Sequence, residues 1–229
     1  MKIPMSTRLL AVSNYINKGD RVADIGCDHG YLGIYLLTNG IASHMIESDV
    51  AQGPLDSAKR NALKFRVENA MTFCLSDGAK GIPRDFDVLV CAGMGADTIM
   101  SILSAAPWLT EGYRLVLQCQ SKRPELRQWL YDAGWRINRE TLAQDGKFIY
   151  TVMDVVYGPS QGITPAQTYI TPQLLEDASP LLPAFYDRVK RGVELTVEGM
   201  RRSGSDQLPI YEGILADLNE MEGQIRGNR

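Results

Sequence analysis

Between residues 21 and 133, short apolar runs alternate with stretches of helical periodicity, and this alternation limits the possible fold more than any other feature. The strand-like runs are 21–26 (RVADIG), 43–49 (SHMIESD), 70–75 (AMTFCL), 86–92 (FDVLVCA) and 113–118 (YRLVLQ). Helical patterns fill 30–38, 52–65, 95–105 and 122–133. Strands joined through helices make βαβ crossovers, so the strands run parallel and helices cover both faces of the sheet. A leading helix is expected over 6–16, where Leu9, Val12 and Ile16 fall at helical spacing before Gly19.

After residue 134 the pattern changes. Two strand-like runs flank Asp145-Gly146, a dipeptide that tolerates the positive φ angles of a tight hairpin. The sheet therefore closes with an antiparallel pair, seven strands in all. Residues 158–172 (GPSQGITPAQTYITP) read as a linker. Beyond it Leu182, Phe185, Val189, Val193, Val197 and Met200 form one helical seam, and Leu208, Tyr211, Leu215, Leu218, Met221 and Ile225 form another. The short SGSD turn between them, with Ser205 or Asp206 as a cap, predicts an antiparallel, coiled-coil-like hairpin. The expected organisation is an α/β domain over 1–158 and a helical hairpin over 159–229.

Composition narrows the setting. No apolar run approaches the roughly 18 residues that span a bilayer, and MKIPMSTRLL has no signal-peptide pattern. Cys27, Cys74, Cys91 and Cys119 are far apart without a CxxC pair, which suits buried free thiols in a reducing cytoplasm and no metal. The net charge of −3 gives no general attraction for nucleic acid. RNA binding would have to rest on local basic patches.

The stretch VADIGCDHGYL (22–32) runs from a strand through a glycine turn into a helix. A dinucleotide site there needs G-x-G-x-x-G, yet Asp28 occupies the second glycine position. Its carboxylate repels a pyrophosphate, and no G-K-[ST] follows to make a P-loop. A cationic ligand is favoured instead. S-adenosylmethionine qualifies, with a sulfonium and an ammonium that acids can pair with or stabilise. Glu47 and Asp49 end the second strand about 20 residues after the turn, where an acid takes ribose hydroxyls; Asp49, nearer the following helix, is the preferred one. Asp77-Gly78 after the third strand suits the adenine amine. The plain alternative is a set of solvated acids at strand ends, welcomed by helix dipoles.

These residues resemble a Rossmann-like class I methyltransferase, and STRL (6–9), ADIGCDHGYL (23–32), GPLDSAKR (53–60), AGMG (92–95), LQCQ (117–120) and RQWL (127–130) narrow the resemblance. The chain is similar to bacterial tRNA methyltransferases that modify N1 of adenine 22, over its full length. That resemblance implies the sheet order, a tRNA partner and a cytoplasmic location. It also implies a cofactor site of Asp24, Gly26, Asp28, Gly30, Asp49, Asp77, Gly78, Ala92, Gly93, Met94 and Gly95. Arg8, by analogy, approaches the cofactor carboxylate.

AGMG lacks the [D/N]PP[aromatic] set that amino-group methyltransferases use, and its small residues leave room for a ring nitrogen. Adenine N1 carries its own lone pair, so alignment is the main task. Asp28 is the expected aid, accepting from the adenine amine and stabilising the cationic product. His29 is a second candidate, and Gln118 or Gln120 are candidates to bond the target base. The base must be unpaired or flipped, with the RNA gripped through phosphates by Lys122, Arg123 and Arg127, by Arg188, Lys190 and Arg191, and by Arg201 and Arg202. A monomer is expected. A small-molecule methyltransferase and a non-catalytic cofactor-binding scaffold are the alternatives.

Overall fold

The computed structural model describes residues 2–159 and 162–227. Seven strands form one sheet: β1 (Arg21–Ile25), β2 (His44–Asp49), β3 (Met71–Leu75), β4 (Val88–Met94), β5 (Arg114–Cys119), β6 (Trp135–Asp145) and β7 (Phe148–Tyr157). Their order is β3-β2-β1-β4-β5-β7-β6. The first five are parallel, and β7 runs antiparallel to both β5 and β6. The strand order reverses between β1 and β4, and a crevice for ligands opens at such a point, beyond the carboxyl ends of the strands.

Helices α1 (Thr7–Ser13), α2 (Tyr31–Thr38), α3 (Gln52–Phe65), α4 (Ala96–Ser104) and α5 (Arg123–Asp132) flank the sheet. Strand period sorts the core. Ala23, Ile25, Leu89, Cys91, Leu115 and Leu117 meet Ile99, Leu103, Leu126 and Leu130 of α4 and α5 on one face. Val22, Val88, Val90 and Val116 meet Val12, Ile34 and Leu36 of α1 and α2 on the other. Burial on both faces is why these strands are nearly continuous apolar runs.

The tail contains α6 (Pro172–Asp177), α7 (Leu182–Ser203) and α8 (Leu208–Gly227). Gly204, with φ 65°, ends α7, and Ser205 Oγ accepts from the Gln207 amide at 3.3 Å to begin the return. Phe185, Tyr186, Val193 and Val197 pack against Ile214, Leu218 and Ile225, and this core continues onto Leu142 and Ile149 of the β6–β7 hairpin. The Tyr186 hydroxyl donates to the Leu218 carbonyl at 2.9 Å.

The segment expected to be a linker is largely packed. Residues 160 and 161 lie outside the described residues. Ala166, Thr168, Ile170 and Thr171 are buried. Arg127 Nη1 donates to the Thr168 and Tyr169 carbonyls at 2.6 and 3.0 Å, and Thr171 Oγ1 donates to Glu140 at 2.7 Å. Pro, Gly and Thr richness signalled irregular backbone, but a buried arginine supplies that backbone with hydrogen-bond partners.

Candidate active site

The first loop is built by glycine. Gly26 has φ 73°, and a Cβ there would lie 2.4 Å from Met94 Cε, so only hydrogen lets Met94 lie across the turn. The Gly26 and Cys27 amides donate to the Ser48 carbonyl at 2.7 and 3.0 Å, pinning the loop to β2. Asp28 itself takes φ 51°, which is uncommon for a residue with a side chain. Its exposed carboxylate lies 3.7 Å from His29 Nε2, and the His29 ring leans on Tyr31 with centroids 5.7 Å apart.

Two cavities meet at this turn. The larger, about 530 Å³, is lined by Ile25, Gly26, Asp49, Asp77, Gly78 and Met94, and by Asp97, Thr98, Ser101 and Ile102 of α4. The smaller, about 250 Å³, is lined by Arg8, Asp24, Gly26, Asp28, His29, Tyr31, Ala92, Gly93 and Gln120. Gly26 borders both, so the two form halves of one elongated site bridged by the turn.

Asp49 ties the larger half together. Its Oδ1 accepts from the Ala51 amide at 2.9 Å, and its Oδ2 faces the Asp28 amide at 3.4 Å. Asp24 is buried beside the smaller half, and its pKa is pushed up to about 7, first by burial, then by the Asp49 charge, with Arg8 opposing. Glu47, in register with Asp24, is wholly buried and neither of its oxygens has a hydrogen-bond partner among the described residues. Burial and the neighbouring Asp24 hold its carboxyl well above the usual carboxylate range. It lies under α2, where a Cβ on Gly33 would come within 1.8 Å of Oε1. Of the two acids ending β2, Asp49 therefore faces the cavity and Glu47 does not.

The segment expected as a fourth-strand loop is a bulged strand end. Pairing to β5 jumps from Ala92–Gln118 to Met94–Cys119, leaving Gly93 as the extra residue with φ 85°. Bulges re-aim backbone beside active sites. Here the freed Gly93 amide donates to Gln118 Oε1 at 2.9 Å, and Arg8 Nη1 donates to the same oxygen at 2.6 Å. Arg8 reaches it because Ser6 caps α1, accepting from the Leu9 amide at 3.2 Å.

Gln118, expected to bond the target base, has its side chain engaged inside the protein. It is fully buried, its oxygen is shared by Arg8 and Gly93, and its Nε2 donates to the Cys119 carbonyl at 3.2 Å. Gln120, two residues on, is the glutamine that lines the smaller cavity. Gly30 and Gly95 line neither cavity. Gly30, with φ 69°, instead lets α2 start against Ala58, which a Cβ would meet at 3.0 Å, and Gly95 caps α4. The α4 residues Asp97, Thr98 and Ser101 had no sequence signal beyond following AGMG; only the chain reversal brings them to the cleft.

The basic clusters divide. Arg127 is corrected from a phosphate contact to an interior ion pair with Glu140. Lys122 pairs with Asp97, Lys190 with Glu222, Arg191 with Glu194, Arg201 with Glu212 and Arg202 with Glu198. The four cysteines are free thiols. Among the described residues no group of three or more His, Cys, Asp or Glu could hold a metal, and no helix is long and apolar enough to cross a membrane.

Residues 5–153 match a family described as a methyltransferase domain. The chain is 36% identical over 149 residues to the tRNA (adenine(22)-N(1))-methyltransferase of Bacillus subtilis, covering 64% of this chain and 63% of that protein's length. The solved m1A22 tRNA methyltransferase of Bacillus subtilis aligns over 99% of both chains with a TM-score of 0.80 at 25% identity. A Streptococcus pneumoniae protein solved in complex with S-adenosyl-L-methionine shares the fold, with a TM-score of 0.80 at 24% identity over 95% of this chain and 99% of that one. The glycine turn, the acids at successive strand ends and these likenesses agree: the chain belongs to the methyltransferase-domain family and is similar to the tRNA (adenine(22)-N(1))-methyltransferase of Bacillus subtilis.

Proposed function

We propose that this protein transfers a methyl group from S-adenosylmethionine to N1 of adenine 22 in tRNA, as a cytoplasmic monomer. The observation that carries the reading is the two-part cavity with acids on its walls and no phosphate cradle. The residues fit the donor. The larger half is within the roughly 300–1,000 Å³ of ligand sites, and its lining supports the reading: Asp49 would accept from ribose hydroxyls, and Ile25, Met94 and Ile102 would wall an adenine. The smaller half offers Asp24 to an ammonium and Arg8 to a carboxylate, each a charge-assisted contact. When bound, the donor supplies an electrophilic methyl carbon on a positively charged sulfur.

The chain's own work is alignment and charge. Gly26 and the Gly93 bulge have no side chains to hold the reacting atoms apart. Adenine N1 attacks with its lone pair, so no base need remove a proton first. Asp28, exposed at the rim and aimed by its positive φ, accepts from the adenine amine and stabilises the cation that forms. His29 beside it would pass to solvent any proton that the N6 amine of the cationic product gives up. The RNA contacts come from the 159–229 hairpin and the α5 end of the sheet.

Incubation with S-adenosylmethionine and unmodified tRNA, followed by nucleoside mass spectrometry and site mapping, tests this reading. N1-methyladenosine confined to position 22 is the expected product. Methylation of an exocyclic amine would overturn the reading of the bulge, and activity on free metabolites alone would favour a small-molecule enzyme.

A further inference from the structure

A third cavity of about 240 Å³ lies between the start of α5 and the middle of α7, lined by Gln120, Ser121, Arg123, Arg127, Arg188 and Thr196 among others. Its charges are unusual for this molecule. The other basic residues described on α7 and α8 each hold a carboxylate: Lys190, Arg191, Arg201, Arg202 and Arg226. Arg188 holds none among the described residues. Arg123 also has no acidic partner; it stacks on Phe185 with its guanidinium carbon 5.1 Å from the ring centroid. Burial, first, and the adjacent Arg127 charge lower its pKa.

Two further observations point the same way. Arg127, wholly buried, uses its terminal nitrogens on Glu140, Thr168 and Tyr169 but leaves Nε without a partner. The N-terminus of α5 opens on this cavity with no side-chain cap, behind Lys122 at φ 53°. Pro124 supplies no amide and Glu125 adds a carboxylate to the first turn, so the Arg123 and Glu125 amides are what this uncapped start offers an anion.

We propose that this cavity binds a backbone phosphate of the substrate RNA beside the nucleotide being methylated. The inference rests on the function proposed above. Gln120 lines both this cavity and the smaller half of the cofactor site. A flipped nucleotide carries base and phosphate on one sugar, so a base entering past Gln120 leaves its phosphate on the arginine side. The anion is held by Arg188 and Arg123 over the start of α5, with the unpartnered Arg127 Nε beneath; the Arg127 charge itself is matched by Glu140. The site anchors RNA through charge and reads no sequence.

The test is tRNA affinity by fluorescence anisotropy across a salt series, without cofactor, for the wild type, Arg188→Ala, Arg188→Lys, Arg123→Gln and the control Lys64→Ala, in the last turn of α3. Arg188→Ala and Arg123→Gln are expected to weaken binding about tenfold and to reduce the salt slope by about one. Arg188→Lys should restore the slope, Lys64→Ala should change neither quantity, and cofactor affinity by calorimetry should stay at the wild-type value throughout. Wild-type affinity and slope in both Arg188→Ala and Arg123→Gln overturn the proposal, even if tRNA is methylated correctly. Loss of slope in those variants with no N1-methyladenosine formed by the wild type keeps the phosphate site and rejects the proposed reaction instead.

Discussion

Replacing Gly33 by alanine reverses an ordinary expectation. Gly33 sits inside α2, where alanine normally stabilises a helix by about 1 kcal/mol. In this fold its Cβ would lie 1.8 Å from Glu47 Oε1, 3.1 Å from Glu47 Cδ and 3.0 Å from Met45 Cε. Non-bonded carbons rest at about 3.5–4.0 Å, so the carboxyl must retreat by more than about 1 Å. It has nowhere to go, because Glu47 and Met45 are both wholly buried in an interior packed like a crystal. Overpacking costs about 1–3 kcal/mol, and so short a contact belongs at the top of that range. The net expectation is a loss of about 2 kcal/mol, or about 4–8 °C in Tm for a chain of this size. Urea unfolding at constant m-value measures it. In a Glu47→Ala background the carboxyl is gone and the end of Met45, 3.0 Å from the added Cβ, can move into the space it leaves, so Gly33→Ala should then stabilise by up to about 1 kcal/mol, a coupling of about 3 kcal/mol between neighbours. A stabilised single variant, or an equal penalty in both backgrounds, would refute the packing argument.

Three other outcomes are expected. Asp28→Ala should lower kcat about a hundredfold while calorimetric cofactor affinity holds, since the carboxylate is exposed at the rim; equal loss of both would make it a cofactor ligand only. Asp24 keeps its proton up to about pH 7 when folded and loses it near 3.8 when unfolded, so its contribution to stability falls as pH rises between those values and is flat above. A cationic ligand favours the ionised form, so donor affinity should climb from pH 6 to 8 with proton release below 7. Calorimetry in two buffers reads this, and Asp24→Asn should abolish the release. Finally, Arg127→Met should destabilise by about 3–5 kcal/mol because Glu140 is left buried without its cation, while adding Glu140→Met should recover most of the loss; chemical denaturation of the single and double variants distinguishes this from a surface role.

Much of the architecture was legible in the linear chain because periodicity and burial share a cause. Strands buried on both faces must be apolar runs, and helices that cover them must repeat every three or four residues, so 21–133 declared its βαβ order. Asp145-Gly146 announced the hairpin through its tolerance of positive φ. The acid in the glycine turn likewise announced a cationic ligand, since a carboxylate and a pyrophosphate cannot share that position. The linker is the instructive difference. Local composition describes backbone irregularity, but whether irregular backbone is free or packed depends on a partner far along the chain, here Arg127.

What the residue order determined by itself was element type, chain direction through the sheet and the charge that the first loop prefers. Tertiary structure decided which of several similar side chains reaches the cavity. Glu47 and Asp49 share a strand face, yet α2 covers one and leaves the other at the crevice. Gln118 and Gln120 are two residues apart, yet the bulge at Gly93 consumes one and frees the other. Arg188 has no acidic partner among the described residues, while Lys190 finds Glu222 across the hairpin and Arg191 finds Glu194 along its own helix. The physical reason is that hydrophobic pattern is a property of each segment, whereas a polar group's partner is set by what lies within about 3 Å of it, a distance that only packing between remote segments can fix.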